Sequence, residues 1–204
     1  MRPRIVLITD SRYEDDVLVS KLEQALGLAP SGLVMVQLRD KLREAGRLLD
    51  VGRRLRSLCR EHGALFVVND RLDVALALEA DGVHLGRASV AVADARRLVG
   101  EQAFISVATH SRDELREAID EGADAALLSP IFPTPGKGEP LGTEALRHAK
   151  AMAPAFPIYA LGGIDLENAR ECLEAGASGV AMIRAFFDAE DPARSMRHLL
   201  DVLA

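Results

Sequence analysis

Eight short, mostly apolar runs punctuate the chain, at Ile5–Thr9, Leu33–Leu38, Ala64–Val68, Gly82–Leu85, Phe104–Ala108, Ala125–Ser129, Ile158–Leu161 and Gly179–Ile183. Most are nearly continuous rather than alternating, the pattern of parallel strands covered on both faces. Amphipathic stretches separate them. Leu42–His62 carries Leu48, Leu49, Val51, Leu55 and Leu58 at helical spacing, with arginines filling the other face. Ser111, with Glu114 three residues on, predicts a capping box for the helix that follows, and Asp165 predicts a cap for a helix through Glu174. Strands alternating with helices imply βα units and a parallel sheet. No Gly-x-Gly-x-x-Gly follows the first strand, so a closed barrel of eight fits better than an open doubly wound sheet. The expected fold class is therefore α/β, a single (β/α)8 TIM barrel occupying residues 1–204 as one domain.

A weak internal repeat agrees with this. Residues 78–85, 121–128 and 174–182 each close a helix, turn on Gly or small residues, and enter a strand. With 204 residues and 49% hydrophobic content the chain can build one sizeable core. A net charge of −6 gives the chain as a whole no footprint for nucleic acid, and none is expected as a partner. Cys59 and Cys172 lack metal-ligand spacing and read as small buried residues. No apolar run is long enough to span a bilayer and the first residues lack a signal-peptide pattern, so no membrane partner is expected and the cytoplasm is the expected location. Oligomeric state is left open, with a homo-oligomer among the options.

In such a barrel the chemistry belongs to the C-terminal strand ends and the loops after them. Strand 2 runs into Arg39-Asp40-Lys41, strand 3 into Asn69-Asp70, and strand 6 into the long loop 130–141 with Thr134 and Lys137. Arg39, Lys41 and Lys137 thus bring cations to one mouth beside Asn69 and Asp70. Cations suit phosphate oxygens, and a carboxylate among them suits a divalent ion bridging those oxygens. Gly162-Gly163 after strand 7 allows close backbone approach to a second phosphate, in a corner completed by the residues after strand 8, where Arg184 stands. His84 and His110 end strands 4 and 5 and can act as acid or base. His62, His148 and His198 fall within helical patterns and are read as surface or packing residues. The expected partners are phosphorylated small molecules.

Five runs carry a further resemblance: Val36-Gln-Leu-Arg-Asp-Lys41, Val68-Asn-Asp-Arg71, Ala80-Asp-Gly-Val-His-Leu-Gly86, Ser129-Pro-Ile-Phe-Pro-Thr134 with Lys137, and Ala160-Leu-Gly-Gly-Ile164. In this order, over nearly the whole chain, they resemble the thiamin-phosphate synthase/TenI superfamily. The resemblance implies a barrel of thiamin biosynthesis that joins hydroxymethylpyrimidine diphosphate to thiazole phosphate and releases pyrophosphate. It also implies Mg2+ as cofactor, with Asp70 as a metal ligand. Arg39, Lys41, Asn69 and Lys137 would hold the diphosphate, and Thr134, Gly162 and Gly163 would serve the second phosphate; Arg184, at the end of strand 8, is a further candidate for binding substrate. Arg39, Lys137, His84 and His110 are the candidate catalytic residues. Four positions depart from the synthase pattern: the stretch to Ser89, which lacks the second Mg2+-binding Asp expected there, Ala108 for a serine, Gly136 for a threonine, and Arg184 for a small residue or serine. The tautomerase branch places its catalytic histidine at Pro130. Two alternatives therefore stand beside the transferase: a TenI-type tautomerase of a thiazole phosphate carboxylate, and a barrel that binds thiamin precursors without turnover.

Overall fold

The computed structural model describes residues 2–203; Met1 and Ala204, the ends of the predicted domain, lie outside the described residues. Eight parallel strands close into one barrel in sequence order. They are β1 (Ile5–Ile8), β2 (Val34–Leu38), β3 (Leu65–Asn69), β4 (Gly82–Leu85), β5 (Phe104–Thr109), β6 (Ala125–Leu128), β7 (Ile158–Ala160) and β8 (Gly179–Met182). Each lies within one residue of its predicted run. β8 returns to β1, with Val180 opposite Ile5, so the sheet has no open edge.

The helices are α1 (Asp15–Leu26), α2 (Ala45–His62), α3 (Leu72–Ala77), α4 (Val92–Val99), α5 (Arg112–Asp120), α6 (Gly142–Met152), α7 (Ala169–Glu174), α8 (Arg184–Phe187) and α9 (Pro192–Leu203). Two helix starts differ from expectation, for the same reason. Asp40 Oδ1 accepts from the N–H groups of Leu42 and Arg43, which holds a turn and delays α2 to Ala45. Asp165 Oδ1 likewise accepts from Glu167 and Asn168, capping a turn rather than α7, which begins at Ala169. Aspartate competes for backbone donors wherever a helix has not yet formed. The Ser111 cap is present: its Oγ accepts from Glu114 N–H, while the Glu114 carboxylate accepts from His110 N–H.

Strand pleating splits the apolar residues into two cores. Residues such as Leu7, Val36, Phe66 and Val180 face outward and pack under the helices. Val6, Met35, Val67, Leu127 and Tyr159 face inward and fill the barrel. At the N-terminal end Tyr159 is buried and donates its hydroxyl proton to Pro3 O at 2.9 Å, closing the floor. The interior is therefore a packed plug, and only the opposite mouth is open to ligand.

Candidate active site

The open end holds a cavity of about 560 Å³. Its floor is a ring with one residue from each strand or from the position just beyond it. Gln37, Asn69 and His84, from the neighbouring strands β2, β3 and β4, make a polar arc. Leu161, Ile183 and Ile8, from β7, β8 and β1, make an apolar arc facing it, and Ala108 and Ser129 join the two. Loop residues Arg39, Lys41, Asp70, His110, Thr134, Lys137 and Gly162 form the wall. Gly163 and Arg184 line a smaller adjoining cavity of about 260 Å³ that shares Thr134, Leu161, Gly162 and Ile183 with the larger one. The residues singled out from sequence thus lie in two contiguous compartments.

Asp70 organises the polar side. Its backbone is left-handed, with φ 59°, a conformation rare outside glycine and most tolerated by Asn and Asp. The Asp70 N–H donates to His84 O at 2.9 Å, and the carboxylate reaches across to the end of β4. There Oδ1 accepts from Gly86 N–H at 2.8 Å and from the Ser89 hydroxyl, in close contact, while Oδ2 accepts from Asn69 Nδ2 at 2.7 Å. Burial by itself would raise the Asp70 pKa, but the hydrogen bonds from Ser89, Gly86 and Asn69 prevail and hold it below the usual carboxylate range. A carboxylate can only accept, so it fixes the Asn69 amide with Oδ1 turned towards Gln37. Gln37 Nε2 then donates to that oxygen at 3.1 Å. Gln37 Oε1 is left buried in the cavity floor with no partner among the described residues. A buried acceptor without a donor costs about 1–3 kcal/mol, which a ligand N–H would recover.

Gln37 is the residue that sequence reasoning passed over. The signal was present: one amide inside the otherwise apolar run Val34-Met-Val-Gln-Leu38, at an inward position. Thr9 was also missed. Its hydroxyl accepts from Arg39 N–H at 2.8 Å and donates to Arg39 O at 3.2 Å, anchoring the first cation of the loop after β2.

Arg87 and Glu139 line the same cavity, and among the described residues no ion pair joins a cation of this wall to a carboxylate. Arg43, just outside, pairs with Asp15 and Asp40, whereas Arg39, Lys41 and Lys137 enter no ion pair among the described residues. Arg184 is similarly unpaired. It lies close enough to lower the Asp10 pKa, but Arg12 already grips that carboxylate through Nε and Nη2. The base of the long loop is stitched to the end of β7: Ile131 and Phe132 N–H donate to Leu161 and Gly162 O at 2.9 and 3.0 Å. Lys137 N–H donates to Thr134 O, which sets the tip that carries the lysine.

The two histidines are differently poised. His110 Nδ1 lies 2.7 Å from Ser129 O, which can only accept, so Nδ1 carries the proton. A neutral His110 therefore has its bare nitrogen at Nε2. His84 is buried, with Nδ1 2.9 Å from Ser106 Oγ. Burial pushes its pKa down to about 4; Asp70 pulls upward, and Arg39 and Lys41 push further down. His84 is thus neutral at pH 7. The unfolded chain protonates this imidazole near pH 6.5, so between there and pH 4 the unfolded state binds more protons. Stability should fall by up to about 3 kcal/mol across that window on acidification. Urea unfolding at pH 7 and pH 4.5 checks this, and His84→Gln should flatten the slope.

Among the described residues no cluster of three or more His, Cys, Asp or Glu can hold a metal ion. An ion that needs an all-protein cage does not fit here. Mg2+ does fit, because it accepts one or two carboxylates with substrate phosphates and water completing its shell. Asp70, with the Ser89 hydroxyl beside it, supplies that minimum within the cationic wall.

Fold and groups together define the class: a (β/α)8 barrel with a cation-rich, anion-attracting mouth. The chain belongs to the thiamine monophosphate synthase family, whose model matches residues 5–186. It is 41% identical over 202 residues to the thiamine-phosphate synthase of Gloeobacter violaceus, an alignment covering 98% of this chain and 57% of that protein. It is 42% identical over 185 residues to the thiamine-phosphate synthase of Moorella thermoacetica, covering 89% of this chain and 88% of that one. A solved thiamine phosphate pyrophosphorylase from Pyrococcus furiosus superposes with a TM-score of 0.84 at 33% identity, covering 98% and 95% of the two chains. The chain spans just over half the length of several of the curated relatives it matches. No helix among the described residues is long and apolar enough to cross a membrane.

Proposed function

We propose that the protein transfers the hydroxymethylpyrimidine group from its diphosphate to the ring nitrogen of thiazole phosphate, forming thiamin phosphate and pyrophosphate. The observation that carries this reading is the pairing of two anion-attracting compartments that share a wall, one lined by Arg39, Lys41, Asp70 and Lys137, the other by Gly162, Gly163 and Arg184. A diphosphate donor and a monophosphate acceptor need such a pair. A tautomerase has no use for cations that hold a diphosphate, and Pro130 offers no proton-transferring group.

The bond between the pyrimidine methylene carbon and the diphosphate oxygen breaks, and its electron pair leaves with pyrophosphate. The thiazole nitrogen lone pair then forms the new C–N bond, so no net proton transfer is required. Negative charge grows on the leaving oxygen, where Arg39, Lys41 and Lys137 stabilise it more in the transition state than in the substrate. Mg2+, held by Asp70 and the diphosphate, would supply further charge neutralisation. The Gln37 acceptor suits the amino group of the pyrimidine, and polarising that N–H feeds electrons to the electron-deficient carbon. Neutral His84 adds no positive charge beside that carbon. The apolar arc of Leu161, Ile183 and Ile8 shields it from water, which favours transfer over hydrolysis.

The test is pyrophosphate release with each precursor alone and with both together. The reading expects release that depends on both precursors and on Mg2+, and the absence of thiamin phosphate in the complete mixture would end it. Arg184→Ala should raise KM for thiazole phosphate about tenfold through loss of one charge-assisted bond, leaving KM for the diphosphate unchanged. Steady-state kinetics with each substrate varied in turn checks that selectivity.

A further inference from the structure

We propose that the protein has no standing site for a free divalent ion and takes its metal only together with the diphosphate, because Ser89 presents a neutral oxygen to Asp70. This rests on the diphosphate reading above and adds the form in which the ligand is taken up.

The geometry leaves the carboxylate little spare capacity. Asp70 Oδ1 already accepts from Gly86 N–H and the Ser89 hydroxyl, and Oδ2 accepts from Asn69 Nδ2. The Ser89 hydroxyl proton is spent on Asp70, so the pair offers a metal one negative charge and not two. No other metal-binding cluster of His, Cys, Asp or Glu exists among the described residues. The surrounding field opposes a lone cation as well. Arg39, Lys41 and Lys137 share the cavity with Asp70. With Arg87 and Glu139 also lining it, the cavity sets four positive charges against two carboxylates, and the net positive field repels a further cation until an anion arrives. A diphosphate reverses that balance and brings oxygens of its own, which Mg2+ needs to fill its octahedral shell. The order follows: diphosphate first, or metal and diphosphate as one complex, never metal first.

Equilibrium dialysis with Mn2+ as the metal and inorganic pyrophosphate as the anion tests this without turnover. At submillimolar Mn2+ the protein alone should retain no metal above a protein-free control. With pyrophosphate present it should retain Mn2+ and phosphorus together. By linkage, Mn2+ should tighten pyrophosphate binding by the same factor, about 30-fold or more. Ser89→Asp should retain Mn2+ without pyrophosphate, because a second carboxylate restores the missing charge. The wild-type result alone is decisive if that variant folds poorly. Retention of Mn2+ by the wild type without pyrophosphate, at an affinity that pyrophosphate does not change, overturns the proposal and leaves the diphosphate reading intact. Failure to retain pyrophosphate with or without Mn2+ overturns that reading, and the proposal with it.

Discussion

Asp70→Ala is expected to lower the rate of pyrophosphate release about a thousandfold, the scale set by removing a principal electrostatic stabiliser from a preorganised site. Three effects combine. The substitution removes the carboxylate that stands beside the polar arc and would hold a metal. It frees the Asn69 amide, which Asp70 Oδ2 orients, and through Asn69 it frees Gln37. It also leaves the Ser89 hydroxyl without its acceptor and Gly86 N–H with Ser89 Oγ alone. Asp70→Asn separates charge from packing, because it keeps the shape and one accepting oxygen. If the charge dominates, the Asn variant should lose nearly as much rate as the Ala variant while keeping more of its stability. Pyrophosphate release under saturating substrates, with urea unfolding of both variants, makes the comparison.

Gly162→Val should damage both stability and the second anion compartment. Gly162 has φ 93°, a region that side chains rarely enter, and a Cβ there would sit 2.7 Å from Pro130 Cα. The strain and the backbone clash together should cost about 3 kcal/mol, roughly 10 °C in Tm for a chain of this size. To relieve the clash Pro130 must move, and with it the hydrogen bond from Phe132 N–H to Gly162 O that seats the loop carrying Thr134 and Lys137. KM for thiazole phosphate should rise at least about tenfold, since a misplaced binding wall loses much of its positioning. Scanning calorimetry and kinetics at a temperature below the lowered transition distinguish the two losses.

Much of the fold was legible because most strands are buried on both faces. That burial makes β1 and β6 read as unbroken apolar runs. The helix starts were less legible. Asp40 and Asp165 look like caps from sequence, and only the chain path reveals that each closes a turn ahead of the helix. At the site, the charged residues announced themselves because barrel loops gather at one mouth. The division into two compartments was legible too, since Gly162-Gly163 and the residue after strand 8, Arg184, fall at neighbouring strand ends and line one cavity. Gln37 carried a signal in its strand, but its significance lies in a chain of amide orientations that begins at Asp70. The left-handed backbone of Asp70 has no sequence mark beyond the tolerance of aspartate for it.

The most direct measurement is a crystal structure of the protein grown with thiamin phosphate, pyrophosphate and Mg2+. Pyrophosphate should lie against Arg39, Lys41 and Lys137 with the metal between it and Asp70, and the monophosphate should lie against Gly162, Gly163 and Arg184. The pyrimidine amino group should donate to Gln37 Oε1. Pyrophosphate bound away from those three cations, or both anions in a single compartment, would contradict the paired-site geometry on which the proposed transfer depends.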